Sequence, residues 1–203
     1  MSEVIHIIDT GVANISSMQH AWIRLGFEPM LTTSAADVEK AKRVVLPGVG
    51  SFAAGMSCLR NLGMVDAVAE RVEKNRPLFC VCLGLQLLCK SSEESPGTTG
   101  VGVVPVDVKR FPTEVSVPKL GWNRIQPQLT FEEQMQFSGG YAYFANSYRV
   151  EAIPSDWSTA ISNYGGEFVA AYWKGNVLAC QFHPELSSRY GQTWLQTWSE
   201  FTC

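Results

Sequence analysis

The stretch FCVCLGLQLLC, residues 79–89, changes its pattern in the middle of one apolar run. Residues 77–82 (PLFCVC) are almost continuously apolar, which is typical of a strand buried on both faces of a sheet. Residues 83–90 (LGLQLLCK) instead predict a helix. A plain core strand has no use for this change at Cys82, whereas a nucleophile presented on a sharp turn needs it.

The rest of the first half of the chain repeats this alternation of strands and helices. Residues 4–9 (VIHIID) and 43–50 (RVVLPGVG) predict two further buried strands. Apolar residues at helical spacing follow each of them, over residues 14–26 and 52–74. Strands that alternate with helices in this way predict a parallel sheet with right-handed crossover connections.

The second half of the chain has a different pattern of residue types. After residue 91 come a polar, Gly-rich loop and several short β-like runs, with Lys174-Gly175-Asn176 as a hairpin turn. A closing helix is expected over about residues 191–201. No repeat or linker divides the chain, so the prediction is one α/β domain over residues 1–203. It has a mostly parallel central sheet flanked by helices and an antiparallel, β-rich C-terminal half.

Composition excludes several classes of function. The 203 residues carry a net charge of −3, which argues against a nucleic-acid partner. No apolar run is long enough to span a bilayer, and residues 1–9 do not resemble a signal peptide. The six cysteines include no CxxC pair, so no metal site is predicted, and a cytoplasmic location is expected.

Cys82 is the candidate nucleophile. In parallel sheets, ligands gather at the carboxyl ends of the strands, and Cys82 falls at that position. Gly84 would allow a tight turn, and the N–H groups that begin the following helix favour a thiolate over a thiol. The alternative is that Cys82 is one more buried cysteine, because free cysteines are often buried. A nearby base is needed to decide between the two.

Elimination among three histidines selects the base. His6 lies in the first apolar strand and is most simply a core histidine whose hydrogen bonds are satisfied, and His20 is expected on a helix surface. His183 ends the strand before Pro184, a residue that cannot continue a central ladder. Glu185 could orient its imidazole and support the imidazolium. The alternative is that His-Pro-Glu is only a strand-terminating turn.

The segment LPGVGSF, residues 46–52, is the candidate source of oxyanion donors. Attack on a carbonyl carbon requires backbone N–H groups aimed at the oxygen that becomes negative. We expect the N–H groups of Val49 and Leu83 to serve as these donors. A Gly-rich loop could instead bind a phosphate, but this one lacks the Lys and Ser/Thr of a P-loop.

The motifs PGVG, CLGLQ and FHPE, in that order, resemble those of the class I glutamine amidotransferases over essentially the whole chain. The resemblance implies that Cys82 attacks the side-chain amide of L-glutamine, that His183 is the acid and base, and that Glu185 orients it. It also implies a set of residues that bind substrate: Gly48, Gly50, Gln86, Ser147 and Tyr148.

Finer motifs narrow the resemblance. GVGSF, PKLGWN (118–123) and YFANSY (143–148) are similar to the glutaminase subunit of imidazole glycerol phosphate synthase, the HisH family. This resemblance implies a heterodimer with a (β/α)8-barrel cyclase subunit that receives ammonia, and it implies no organic or metal cofactor. The residues expected at the partner interface are Lys119, Trp122, Asn123, Tyr143 and Asn146.

Three positions depart from the pattern of that family. Lys119 and Asn146 stand where the family usually has His, and Leu186 stands where it usually has Lys or Arg. An alternative is therefore the same glutaminase chemistry serving another synthase, one that makes pyridoxal phosphate or aminates a surface sugar. A second alternative is a non-catalytic regulatory module, against which the intact Cys82, His183 and Glu185 speak.

Overall fold

The computed structural model describes residues 2–11, 14–128 and 138–202. The strands in these ranges are β1 (Val4–Ile8), β2 (Glu28–Thr32), β3 (Val44–Leu46), β4 (Leu78–Val81), β5 (Cys89–Ser92), β6 (Val104–Arg110), β7 (Lys119–Pro127), β8 (Gly140–Asn146), β9 (Tyr148–Val150), β10 (Ser158–Asn163), β11 (Glu167–Lys174) and β12 (Val177–Cys180). The helices are α1 (Ile15–Arg24), α2 (Ala35–Lys40), α3 (Phe52–Asn61), α4 (Val65–Glu73), α5 (Leu83–Leu87) and α6 (Ser188–Phe201), with a short 3₁₀ turn at Pro184–Leu186.

A nine-stranded sheet forms the centre of the molecule, in the order β2-β1-β3-β4-β12-β11-β10-β7-β8. The strands from β2 to β12 pair in parallel, and those from β12 to β8 pair antiparallel. A second, three-stranded sheet contains β5, β6 and β9. The predicted fold class, an α/β domain with an antiparallel C-terminal half, is confirmed.

Two neighbouring parallel strands, β4 and β12, connect distant parts of the chain. Val81, the last residue of β4, pairs with Cys180, the last residue of β12. Because parallel strands end at the same edge of a sheet, the residues that follow Val81 and Cys180 emerge side by side. Cys82 and His183 both follow these strand ends.

The helix predicted over residues 83–90 is shorter than expected. It ends at Leu87, and Cys89–Ser92 instead form strand β5, which pairs in parallel with β6. The apolar run could not distinguish a helix from a strand here, since the pairing partner lies on a later segment. Gly63, with φ +64°, likewise divides the predicted helical region 52–74 into α3 and α4.

Apolar packing on the sheet holds the parallel strands in place. Trp22 of α1, Phe79 of β4 and Trp198 of α6 are fully buried and lie in mutual ring contact, with ring centroids 5.4–6.3 Å apart. Removing one such aromatic side chain from a core costs about 3–5 kcal/mol. This cluster therefore holds β4 against the two helices.

Among the described helices, none has the length and apolar character needed to cross a membrane.

Candidate active site

Cys82 occupies a sharp turn between β4 and α5. Its backbone has φ +55° and ψ −107°, a conformation that L-residues rarely adopt and that tends to occur at functional sites. The backbone N–H of Cys82 donates to the carbonyl oxygen of Cys180 at 2.8 Å, which ties the turn to β12. The turn thus presents the thiol at the carboxyl end of the central strand β4, as the sequence predicted.

Gly84 is required for close packing against β3. A Cβ atom at this position would lie 2.1 Å from the carbonyl oxygen of Leu46. Real Cβ atoms do not approach so closely, so only glycine lets α5 begin directly against that strand. The sequence suggested that Gly84 eases the turn, and the structure supplies a different reason for the residue.

His183 and Glu185 form a buried pair beside Cys82. His183 follows β12, and its Nδ1 atom lies 2.9 Å from Oε1 of Glu185. The Glu185 side chain is only 3% exposed. The backbone N–H of His183 donates to the carbonyl oxygen of Tyr143 at 2.9 Å, which anchors the strand end to β8. The proline turn is therefore more than a strand terminator, because it brings a carboxylate within hydrogen-bond distance of the imidazole Nδ1.

The surroundings of His183 favour its charged form. Burial opposes the imidazolium, but the neighbouring Cys82 sulfur, through charge and a hydrogen bond, and the Glu185 carboxylate outweigh that effect. Together they raise the pKa of His183 well above its usual range. The arrangement is suited to a thiolate–imidazolium pair, which is the reactive form of a cysteine nucleophile.

A cavity of about 310 Å³ opens beside the thiol, and Cys82, Leu83 and His183 form part of its wall. The other residues that line it are Val49, Gly50, Gln86, Glu94, Pro118, Leu120, Ala145, Asn146, Ser147 and Tyr148. Four of the five predicted substrate residues thus border one cavity. Gly48 does not line this cavity, because it packs against Leu83, where an added Cβ would lie 2.9 Å from the Leu83 Cβ.

The two expected oxyanion donors are not both available in this structure. The backbone N–H of Leu83 donates to the carbonyl oxygen of Gly48 at 3.3 Å. That carbonyl therefore faces the donor that a substrate oxyanion would need. Val49 borders the cavity, and its N–H belongs to the same peptide unit as the Gly48 carbonyl. The assignment of Val49 and Leu83 as oxyanion donors stays a prediction, and in this structure the Leu83 N–H is engaged by the Gly48 carbonyl.

The sequence did not predict two of the residues that lie at the site. Glu94 lines the cavity, and its Oε2 accepts a hydrogen bond from the N–H of Phe52 at 2.6 Å. Gln181 is fully buried and donates from Nε2 to the Cys82 sulfur at 3.6 Å. Glu94 stands in a polar loop that gave no signal. Gln181 stands two residues before His183, and that proximity was the available clue.

The expected interface residues fall into two groups. Trp122 is 51% exposed on β7, and with Leu120 and Tyr141 it forms an exposed apolar surface on β7 and β8. Tyr143 is half-buried and packs edge-on against Trp122, with ring centroids 6.3 Å apart. The amide of half-buried Asn123 donates to the hydroxyl of Ser162 at 2.9 Å and so ties β7 to β10.

Lys119 and Asn146 are largely buried in the isolated chain, and their assignment to the interface stays a prediction. They pair with each other across β7 and β8, and each is less than a tenth exposed. The Lys119 ammonium lies over the Tyr164 ring, 5.0 Å from its centroid, and burial lowers the pKa of Lys119. Asn146 borders the cavity and donates from Nδ2 to the carbonyl oxygen of Tyr148 at 2.9 Å.

The other histidines lie away from this group. His20 is exposed on α1, as predicted. His6 is half-buried, but its Nδ1 has no hydrogen-bond partner among the described residues, so the prediction of a satisfied core histidine is wrong. Within the described ranges, no group of three His, Cys, Asp or Glu side chains could hold a metal ion.

Comparison with known families agrees with the fold and the geometry. The family model "Glutamine amidotransferase class-I" matches residues 6–198. A crystal structure described as a glutamine amidotransferase superimposes with a TM-score of 0.78, covering 98% of both chains at 21% sequence identity, which supports the fold. The chain belongs to the class I glutamine amidotransferase family.

Closer relatives identify a group within that family. The chain is 39% identical to imidazole glycerol phosphate synthase subunit HisH of Moorella thermoacetica, covering 97% of this chain and 94% of that protein. It is also 40% identical to imidazole glycerol phosphate synthase hisHF of Arabidopsis thaliana, over 93% of this chain and 32% of that longer protein. Within the class I family, the chain is a member of the HisH group.

Proposed function

We propose that this chain is the glutaminase subunit of imidazole glycerol phosphate synthase in histidine biosynthesis. It hydrolyses L-glutamine to glutamate and ammonia and passes the ammonia to a separate (β/α)8-barrel cyclase subunit. The observation that carries this proposal is the convergence of Cys82, His183 and Glu185 at the adjoining ends of β4 and β12, beside one cavity. The HisH relatives supply the acceptor reaction.

The proposed reaction has two stages that use the same residues. The Cys82 thiolate attacks the side-chain amide carbon of glutamine, and the His183 imidazolium protonates the departing ammonia. Water then attacks the glutamyl thioester with His183 as base, which releases glutamate and regenerates the thiol. Glu185 is proposed to hold the imidazole in orientation, since its Oε1 lies 2.9 Å from Nδ1.

The polar groups of the cavity suit the free amino acid. Glutamine is a zwitterion, so its recognition needs a group for the ammonium and donors for the carboxylate. We propose that Glu94, which lines the cavity, binds the ammonium group of the glutamine substrate through its carboxylate. Gly50, Gln86, Ser147 and Tyr148 are the proposed remaining contacts.

The Gly48–Val49 peptide is proposed to control the reaction. A rotation of this one peptide unit would remove the Gly48 carbonyl from the Leu83 N–H and turn the Val49 N–H toward the cavity. Both proposed oxyanion donors would then become available together. Losing one such donor typically reduces turnover about 100- to 1000-fold, so the present arrangement predicts weak hydrolysis by the isolated chain.

The partner is proposed to bind the exposed surface formed by Leu120, Trp122 and Tyr141. Large exposed aromatic residues of this kind are enriched at the centres of protein interfaces. Leu120 of this surface and the nearby Pro118 also line the cavity, which provides a short route between the surface and the cavity. We propose a cytoplasmic location, which the free buried thiols of Cys80, Cys89 and Cys180 support.

A second candidate is the same glutaminase serving another acceptor synthase. Leu186 is an exposed apolar residue on the 3₁₀ turn beside the histidine, where the HisH pattern usually has a basic residue. A partner that meets Leu186 with an apolar side chain would differ from the usual cyclase. Pyridoxal phosphate and surface-sugar synthases are the acceptor enzymes to compare.

The experiment that tests the proposal measures imidazole glycerol phosphate formed by this chain together with a barrel cyclase. We expect Cys82→Ala to abolish glutamine-dependent synthesis and to leave synthesis from added ammonium salt unchanged. Cys80→Ala, which truncates the buried cysteine two residues earlier on β4, is the matched control and should retain both activities. A Cys82→Ala protein that keeps its glutamine-dependent rate would disprove the nucleophile assignment, and product formed only with another synthase would favour the second candidate.

A further inference from the structure

Gln181 is a buried amide held against the proposed nucleophile. It directly follows the last residue of β12, and its side chain is fully buried. Its backbone N–H donates to the carbonyl oxygen of Ala170 at 2.8 Å, which fixes the main chain there. From this position the side chain reaches across to the neighbouring strand end, where Nε2 lies 3.6 Å from the sulfur of Cys82.

The orientation of this amide is determined by its neighbours. Gln86 donates from Nε2 to the backbone carbonyl of Tyr148 at 3.1 Å, and a carbonyl oxygen can only accept. The same Gln86 Nε2 lies 2.9 Å from the Gln181 side chain, so the atom of Gln181 that faces it must be the acceptor Oε1. The NH₂ group of Gln181 therefore has to face the sulfur.

The His183 imidazole, which is paired with Glu185, faces the sulfur as the neighbouring titratable group. Apart from His183, the sulfur has different partners in its two protonation states. The thiol can donate to the carbonyl oxygen of Ala145, which lies 3.9 Å away. A thiolate loses that bond and faces the negative end of the carbonyl instead. The NH₂ group of Gln181 compensates, because a donor binds an anion more strongly than a neutral acceptor. Ala145 thus favours the thiol, and Gln181 favours the thiolate.

We propose that Gln181, held in orientation by Gln86, stabilises the Cys82 thiolate. This inference rests on the proposed function only for its role in turnover. The effect on the sulfur itself can be measured without glutamine, a partner or synthesis, so that the two proposals fail separately.

The test is the pH profile of Cys82 alkylation by iodoacetamide in the isolated full chain, with the modified peptide quantified by mass spectrometry. Gln181→Met keeps a similar shape and removes both hydrogen bonds. We expect its alkylation midpoint to move upward by about one pH unit, which is about ten-fold less thiolate at pH values below the midpoint. A profile that superimposes on that of the unsubstituted chain would overturn the proposal.

Phe182→Leu is the matched control for a purely structural effect. Phe182 is a fully buried neighbour on the same segment and packs against Phe144 and Trp194. Its truncation should lower the melting temperature and leave the alkylation midpoint in place. An equal shift in Phe182→Leu would overturn the proposal, since loosened packing would then explain the change.

A second variant keeps the inference testable if Gln181→Met does not fold, and a kinetic readout extends the test if it does. Gln86→Met removes the donor that fixes the amide, so we expect a smaller upward shift of the same midpoint, and no shift would count against the proposal. Where Gln181→Met folds, its glutamine kcat/KM in the complex should fall about ten-fold at neutral pH and recover at higher pH. A deficit independent of pH would contradict thiolate stabilisation.

Discussion

The Cys82, His183 and Glu185 group and the loop of residues 47–50 border the same region, but they differ in how ready they are for catalysis. The side-chain group is packed and hydrogen-bonded, with His183 and Glu185 buried in contact. The loop instead directs the Gly48 carbonyl at the Leu83 N–H. In the proposed mechanism, the nucleophile is therefore assembled in the folded chain, whereas the proposed oxyanion donors become available only after rotation of one peptide unit.

The side-chain group and the loop differ because different parts of the structure constrain their backbones. The side-chain group follows two adjacent parallel strands, so the sheet itself sets its geometry. The loop has two glycines near its end, and Gly50 has φ +96° with no neighbour within 4 Å of a Cβ added there. Gly48 packs against Leu83, but because it has no Cβ its dihedral angles can change at smaller cost than those of a strand end within a sheet.

The largest loss of activity is expected from a change in the Cys82, His183 and Glu185 group. Glu185→Gln keeps the hydrogen-bonding shape but removes the carboxylate charge that helps raise the His183 pKa. We expect roughly a 1,000-fold loss of glutamine kcat/KM in the complex. Because the His183 pKa falls, the imidazolium is lost at lower pH, and the alkaline limb of the pH profile should move toward neutral. Steady-state kinetics across pH measure both effects.

The control for this change is Glu167→Gln, which removes the same charge at an exposed position at the start of β11. It should leave both the rate and the pH profile as they are. An unchanged alkaline limb in Glu185→Gln, despite normal folding, would mean that the Glu185 carboxylate does not act on the imidazole.

A smaller effect is expected from weakening the proposed contact with the cyclase. Trp122→Ala removes an exposed ring from β7 and should weaken binding of the cyclase by about 2 kcal/mol, or about 30-fold, with little change in stability. At saturating cyclase, the glutaminase rate should recover. Titration calorimetry and rate measurements against cyclase concentration check both statements.

Phe201→Ala is the control, because Phe201 is 55% exposed but lies at the end of α6 rather than on β7 or β8. It should bind the cyclase normally. Equal binding by Trp122→Ala and the unsubstituted chain would place the partner on another surface.

The sequence predicted those features that depend on local pattern. Buried strands, the turn at Cys82 and the strand end at His183 follow from apolar runs and from the proline, and the parallel arrangement follows from alternation. The sequence did not predict features that depend on contacts between distant segments. The pairing of Cys89–Ser92 with β6 and the burial of Lys119 and Asn146 belong to this class.

At the candidate site, too, the sequence predicted some residues and not others. The three proposed catalytic side chains stood out by residue type, since only three histidines were available for elimination. Gln181 and Glu94 were not found, because an amide or a carboxylate in a polar or strand context has many structural explanations. The engaged Leu83 N–H depends on the orientation of one peptide unit, which residue identity does not determine.

The measurement that tests the central claim compares two reactions of Cys82 in the same samples. Alkylation by iodoacetamide needs only the thiolate, whereas glutamine hydrolysis also needs the oxyanion donors. We predict that the isolated chain is alkylated readily but hydrolyses glutamine slowly. If binding of the cyclase causes the proposed rotation of the Gly48–Val49 peptide, adding the cyclase should raise hydrolysis about 100-fold or more and change alkylation little. Full hydrolysis by the isolated chain, or a parallel rise of both rates, would contradict an assembled nucleophile beside a closed oxyanion site.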